Sequence, residues 1–296
     1  MIFTCNICGA ENEVEQFASE PASCRCGSNV RLRALMHLLS MEIFGVSIPL
    51  VEFPKMKSIR GLGLSDQPCY ADVLAEKFDY TNTFYDREPR LDLLAPPAEW
   101  EGAFDFLLAA DVLEHVGPPI ERSFEAACRL LKPHGFFGIT VYCDPADRIR
   151  EHFPELNEYR VVTLGSADVL INRRRDGRLE ITDDLIFHGG SGATLEMRVF
   201  GRTALERMLR QPGFREVDFL TANLPRYGIL FDHDTSQPLI ARKGRFCFER
   251  GARDELVAAW RAARDRAEKL GRQAELAASS RWVRLGRKLG VGPKFG

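Results

Sequence analysis

No stretch of this 296-residue chain approaches the roughly 18–20 consecutive apolar residues that a membrane-spanning helix requires, which argues against an integral helical membrane protein. The opening "MIFTCNICGA" lacks the basic and apolar regions of a secretion signal, so a cytoplasmic protein with reduced thiols is expected. There is also little excess of either charge: 40 Lys and Arg face 42 Asp and Glu, a net charge of −2. The charge is unevenly spread. Residues 249–296 carry 12 basic against 6 acidic side chains, a surplus of +6 that leaves −8 on residues 1–248. So acidic a body argues against nucleic acid as the main ligand. The rest is ordinary: 45% hydrophobic and 28% charged residues, in a length that suits one large domain with attachments, or two domains.

Half of the eight cysteines fall in the first thirty residues. Cys5-x-x-Cys8-Gly9 and Cys24-x-Cys26-Gly27 read as two knuckles, tight turns whose glycines let backbone amides approach sulfur. Separated by fifteen residues, the two pairs suit one tetrahedral zinc. So short a segment has little core, and ligation can supply roughly 10 kcal/mol of folding energy. With no histidine among the four, the site is expected to be structural; a disulfide pair or four free thiols is the competing reading. After it, Leu32, Leu35, Met36, Leu39 and Ile43 recur at helical spacing, with Arg31 and Arg33 near the start. Residues 1–44 are therefore expected to form a zinc-binding segment and helix.

From residue 57 to 248, apolar runs alternate with amphipathic segments, the pattern of a doubly wound, mostly parallel α/β sheet. Lys57–Leu62 reads as the first strand, followed by the turn "GLGLSDQP". "YTNTFYD" reads as the second, ending at Asp86. "FDFLLAADVLEHVGPP" begins as a strand buried on both faces and then presents Asp111, Glu114 and His115. Ligands of open α/β sheets sit beyond the carboxyl ends of such strands. Residues 144–200 are too many for a plain connection and are expected to fold over that edge as a cap.

"FDFLLAADVLEHV" followed by "RLLKPHGFFGITV" resembles, in order and spacing, the fourth strand and the turn into the fifth strand of class I S-adenosylmethionine-dependent methyltransferases. The cysteine-rich front end is similar to that of a bacterial subgroup of these enzymes. The resemblance covers roughly residues 55–248 and implies a seven-stranded Rossmann-like sheet. It departs at the glycine-rich first motif: Gly61 stands where the family has an acid, and Ser65 stands in place of the second glycine after Gly63. The resemblance implies cofactor contacts at Gly61, Gly63 and Ser65, with Asp66 holding the cofactor's ammonium or capping the next helix. It also implies Asp86 at the ribose hydroxyls, Asp92 near adenine and Asp111 at the methionine end.

Methyl transfer from a sulfonium asks the protein to align acceptor and methyl, exclude water and manage the acceptor's proton. His115 is the expected base, with His152 and His188 on the cap as rivals. "HGGSG" is expected to pass over the substrate, and Arg198 to meet its carboxylate or phosphate. Residues 249–296 read as a charged helix, with Leu256, Trp260, Ala263 and Ala267 in one stripe, and a basic tail. That tail, with Trp282, suits an anionic membrane surface or a protein partner, and resembles tails of bacterial glycosyltransferases of surface polysaccharide assembly. The expected activity is O-methylation of a small molecule or a glycan. The alternatives are an RNA methyltransferase, disfavoured by the acidic body and the few aromatics of the knuckle, and a non-catalytic binding protein.

Overall fold

The computed structural model describes residues 2–13, 24–144, 146–188, 194–231, 238–246 and 250–279. The chain divides into two units, Met1–Cys247 and Phe248–Gly296, so residues 1–44 belong to the first unit rather than standing apart. The basic stretch 280–296, most of the "HGGSG" loop and Cys247 lie outside the described residues.

The first unit opens with a hairpin, β1 (Ile2–Thr4) and β2 (Glu11–Glu13), and then α1 (Val30–Phe44). Asn29 caps α1 by accepting a hydrogen bond from Leu32 N at 3.0 Å, and Gly45 ends it in the left-handed region. The αβ repeat follows: β3 (Met56–Leu64), α2 (Pro68–Lys77), β4 (Phe78–Thr83), β5 (Phe104–Ala110), α3 (Glu121–Leu130) and β6 (Leu131–Thr140). The cap comprises short strands β7 (Cys143–Asp144) and β8 (Arg150–Glu151), then β9 (Glu158–Leu164), β10 (Ala167–Arg173) and β11 (Leu179–Thr182). It ends with β12 (Phe187–His188), β13 (Thr194–Leu195) and β14 (Arg198–Gly201). The chain returns through α4 (Arg202–Arg210), β15 (Glu216–Phe219) and β16 (Leu239–Arg242).

The main sheet runs β15-β16-β6-β5-β3-β4, with β16 antiparallel and the other five strands pointing one way. The doubly wound, mostly parallel expectation holds, but the described sheet has six strands rather than seven. The missing strand would lie beside β4. In its place, residues 84–103 contain Pro89, Pro96 and Pro97, which cannot donate to a ladder, and fold as a loop with one short turn at Ala98–Trp100.

Helices cover both faces. Leu107, Ala109, Phe137 and Ile139 pack with Phe124, Leu205 and Leu209 of α3 and α4. On the other face, rings step from Phe44 of α1 through Phe53, Phe78 and Phe106 to Phe136, with centroids 4.8–6.1 Å apart. Such pairs add about 0.5–1.5 kcal/mol each beyond simple burial.

The first strand runs two residues further than its sequence suggests and takes both glycines into the sheet. A Cβ on Gly61 would stand 2.6 Å from Phe106 Cε2, and one on Gly63 would stand 2.6 Å from Asp66 Oδ2. These glycines therefore admit a ring and a carboxylate to the core. Neither Gly61 nor Gly63 lines the cleft described below. Phe78 starts β4, and Leu131 starts β6.

The cap is a three-stranded antiparallel sheet, β11-β10-β9, with the β12–β13 hairpin beside it; Leu156, Leu170, Leu195 and Met197 form its own apolar cluster. The second unit's α5 (Arg250–Ser279) places Arg264 5.5 Å over the Trp260 ring and pairs Glu268 with Arg264 and Arg272 at i,i+4. Ala263 and Ala267 are exposed, so the expected stripe fades after Trp260.

Gly61→Ala should force the Phe106 ring aside and destabilise the first unit by roughly 1–3 kcal/mol, lowering its melting temperature by about 2–4 °C per kcal/mol. An unchanged calorimetric melting temperature would contradict this packing.

Candidate functional site

The chain leaves β3 for β4 on one side and later enters β5 on the other, so the sheet's direction of winding switches between β3 and β5. Crevices open at the carboxyl ends of strands at such a point. A cleft of about 1800 Å³ lies there, beyond Leu64, Thr83 and Ala110, with Asn157, Tyr159, Phe187 and Thr194–Met197 of the cap on its far wall. That exceeds the roughly 300–1,000 Å³ of a single small-molecule pocket.

Of the expected cofactor residues, Ser65, Asp66, Asp86, Asp92 and Asp111 line this cleft. Ser65 turns the chain out of β3 with φ of 56°, a conformation that favours glycine, and its N–H donates to Thr83 O at 2.7 Å. The turn survives although the glycine does not.

Asp66 plays neither expected part. Its carboxyl is buried and accepts the hydroxyls of Tyr70, at 2.7 Å, and Tyr80, while the N-cap of α2 is Gln67. Two tyrosines occupy the oxygens that an ammonium would need. Burial pushes this carboxyl up to about 7, against the lowering effect of both hydroxyls.

Strand two stops at Thr83, so Asp86 stands three residues beyond it, on a turn closed by Phe84 N–H donating to Pro89 O. Its side chain is exposed at the cleft, with only Arg87 4.0 Å away. Asp92 accepts Leu94 N–H at 2.9 Å and so holds its own loop. Asp111, at φ of 55°, accepts the Thr140 hydroxyl at 2.9 Å and pairs with Arg31 of α1 at 2.8 Å.

Beyond β5, residues Leu113–His115 form a single 3-10 turn. Arg198 holds that turn, donating from Nη1 to Leu113 O at 3.1 Å and to Val116 O at 2.5 Å, and from Nε to Glu151 at 2.7 Å. Its side chain is 0% exposed, so it is a clamp between cap and sheet and not a substrate ligand. His115 Nδ1 donates to Leu195 O at 2.9 Å, leaving Nε2 toward the cleft; burial pulls its pKa below the usual value, which favours the neutral ring. Glu114 is 3% exposed, and burial, assisted by the charge of Asp111, raises its carboxyl to about 8.

The three histidines separate. His115 and His188 both line the cleft, with ring centroids 4.8 Å apart and edge to face. His152 instead lines a pocket of about 150 Å³ with Asn172 and Glu180. Glu196 joins the two cap histidines, accepting from His152 Nε2 and His188 Nε2 at 2.7 Å each. Neither the Glu196–His152 contact nor the Arg198 clamp was legible in sequence, because His152 lies 44 residues from Glu196 and the turn's carbonyls lie 82 and 85 residues from Arg198.

Cys5, Cys8, Cys24 and Cys26 converge: their sulfurs lie within 4.8 Å of one another, with Cys5–Cys26 at 3.9 Å and Cys8–Cys24 at 3.5 Å. Zinc–sulfur bonds of about 2.3 Å in a tetrahedron put sulfurs about 3.8 Å apart, whereas a disulfide needs about 2.05 Å, so the cluster fits the metal. Beside it the buried guanidinium of Arg33 stacks 4.7 Å over Phe3 and donates to Ser28 O and Gly228 O. A buried cation needs an opposing charge, and thiolates on a bound metal would provide it.

No family model and no curated protein matches the sequence. Among solved structures, the fold is similar to that of the 1,6-didemethyltoxoflavin N1-methyltransferase of Burkholderia thailandensis, 18% identical, covering 71% of this chain and 79% of that one with a TM-score of 0.39. It is also similar to the CcbJ methyltransferase of Streptomyces caelestis, 14% identical, covering 78% and 94% with a TM-score of 0.42. The citrinin polyketide synthase CMeT domain is 13% identical with a TM-score of 0.43; the match covers 76% of this chain and 55% of that one. At such identities and TM-scores, likeness carries neither activity nor substrate to this chain.

Asp66→Asn tests the buried carboxyl. An unfolded chain releases this proton near its usual pKa of about 3.9, whereas the folded protein keeps it to about 7, so stability falls as pH rises through that window. The variant should lose part of that fall, seen as a smaller drop in melting temperature between pH 5 and pH 8 than in the unmodified protein. Equal drops would contradict the assignment.

Proposed function

We propose that the protein is an S-adenosylmethionine-dependent methyltransferase that methylates a hydroxyl of a small molecule or sugar. The observation that carries this reading is the cleft at the winding switch, large enough for cofactor and acceptor together, with carboxylates and histidines at different places along it. Two acceptor oxygens on the exposed Asp86 suit the vicinal diol of a ribose, and Asp92 stands nearby for the base. The left-handed turn at Ser65 brings backbone close to the methionine portion. Asp111, held by Arg31 and Thr140, completes that end. At the acceptor end, the neutral His115 ring offers its Nε2 lone pair to a hydroxyl group, and the cap keeps water out of an in-line displacement.

Zinc at Cys5, Cys8, Cys24 and Cys26 is structural in this reading. Its consequence reaches the cleft, because Gly27, Asn29, Arg31 and Leu32, which directly follow the second knuckle, line the cleft wall. The basic stretch 281–294 supports work beside an anionic membrane face, and with it an acceptor of surface polysaccharide synthesis.

Calorimetric titration with S-adenosylmethionine and S-adenosylhomocysteine tests the proposal: saturable one-to-one binding is expected, and its absence would end it. Asp86→Ala should weaken that binding by roughly 1.5–3 kcal/mol, the cost of stranding donors that a carboxylate had satisfied. An affinity within twofold of the unmodified protein's would move the ribose elsewhere.

Elemental analysis of protein purified without chelator should find about one zinc bound by the knuckles in each chain. Cys8→Ser should remove it and, through Arg31, weaken cofactor binding as well. Metal retained in that variant at full occupancy would exclude the four-cysteine site.

A further inference from the structure

A second cluster of ligand-type side chains lies at the cleft wall, where His115 and His188 line the cleft and Glu114 is buried beside them. One ligand atom each of Glu114, His115 and His188 falls within 4.8 Å of the other two. Glu114 is 3% exposed, and its Oε2 is buried with no hydrogen-bond partner. A buried carboxyl oxygen without a hydrogen-bond partner, beside two imidazoles, is free to ligate a cation. Both rings are already oriented from behind. His115 Nδ1 is held by Leu195 O and His188 Nε2 by Glu196, which leaves His115 Nε2 and His188 Nδ1 without hydrogen bonds. Metal-bound histidines are held in this manner, with the far nitrogen donating to a carbonyl or carboxylate. The turn bearing Glu114 and His115 is fixed by Arg198, so two of the three ligands sit on a rigid support.

We propose that Glu114, His115 and His188 bind one divalent first-row metal ion, which takes the His115 Nε2 lone pair in place of the acceptor's proton and whose open positions take oxygens of the methyl acceptor. Two imidazoles and one carboxylate suit Mn²⁺, Fe²⁺, Co²⁺ or Zn²⁺, and three protein ligands leave room for substrate. Bonds of about 2.1 Å bring ligand atoms to about 3.0–3.4 Å of one another. Binding therefore draws in His188, the half-exposed member of the set. Such an ion selects acceptors that offer two neighbouring oxygens, as a sugar diol or a hydroxy acid does. The acceptor class rests on the methyl-transfer reading; the ion site does not.

Mn²⁺ titration of the full chain, followed by electron paramagnetic resonance, tests the site separately from the thiolate knuckle, whose soft ligands disfavour Mn²⁺. One saturable Mn²⁺ per chain is expected, displaced by Zn²⁺. Glu114→Gln and His188→Ala should each weaken it at least tenfold, while Cys8→Ser leaves it bound. His188→Ala changes a half-exposed side chain, so loss of Mn²⁺ with an unchanged melting temperature separates ligation from misfolding. No saturable Mn²⁺, or equal affinity in His188→Ala, would overturn the site. S-adenosylhomocysteine titration of the same samples distinguishes the two ideas: cofactor binding without Mn²⁺ removes only the ion site, and Mn²⁺ binding without cofactor removes only the methyl-transfer reading.

Discussion

Arg198 is the contact on which the cleft depends. It enters from the last strand of the cap, is wholly enclosed, and grips the carbonyls of Leu113 and Val116 while Glu151 meets its charge. The strand end at Ala110 gives way within a few residues to a tight turn that carries a buried acid and a histidine. Left alone, that turn would expose carbonyl groups with nothing to receive. The clamp satisfies them and ties the cap to the sheet edge in one step. Met197 N–H donating to Glu114 O and His115 Nδ1 donating to Leu195 O extend the same seam. His115 thus braces the cap through one ring nitrogen while its ring lines the cleft.

A second seam joins the cysteine cluster to the same edge. Arg33 docks the knuckle against Gly228, and Asn6 donates to Arg33 O at 2.8 Å, so the front end is packed into the first unit. Two residues earlier on α1, Arg31 reaches Asp111 at the mouth of the cleft. The cysteine cluster, the helix position and the charge at the cleft are therefore linked through one turn of helix. A loosened knuckle would be felt where the ligand sits, and not only as a local loss of stability.

Asp66 shows how the worn glycine motif still serves the fold. Gly63 leaves space for the Tyr80 hydroxyl and the Asp66 carboxyl, and Tyr70 of α2 closes the arrangement from above. The glycine that resembles a cofactor contact in sequence is in fact what lets a tyrosine–carboxyl network fit beneath the turn. Ser65 then carries the strained turn alone.

Sequence by itself determined the alternation of strands and helices, the extent of α1, the edge at which Asp111 to His115 emerge, the size of the cap and the grouping of four cysteines. Each of these is written in local periodicity or spacing, because burial of a strand or one helix face constrains every second, third or fourth residue along it. The tertiary structure alone decided that Gly61 and Gly63 are core residues, that the described sheet has six strands with residues 84–103 as a loop, and that Asp66 belongs to two tyrosines. It also decided among the histidines: His188 joins His115 although 72 positions lie between them, whereas His152, much nearer in sequence, faces another pocket. Which side chains meet across such distances depends on the paths of intervening loops and on the fit of buried charges such as Arg198. Those are properties of the assembled core, and no window of sequence contains them.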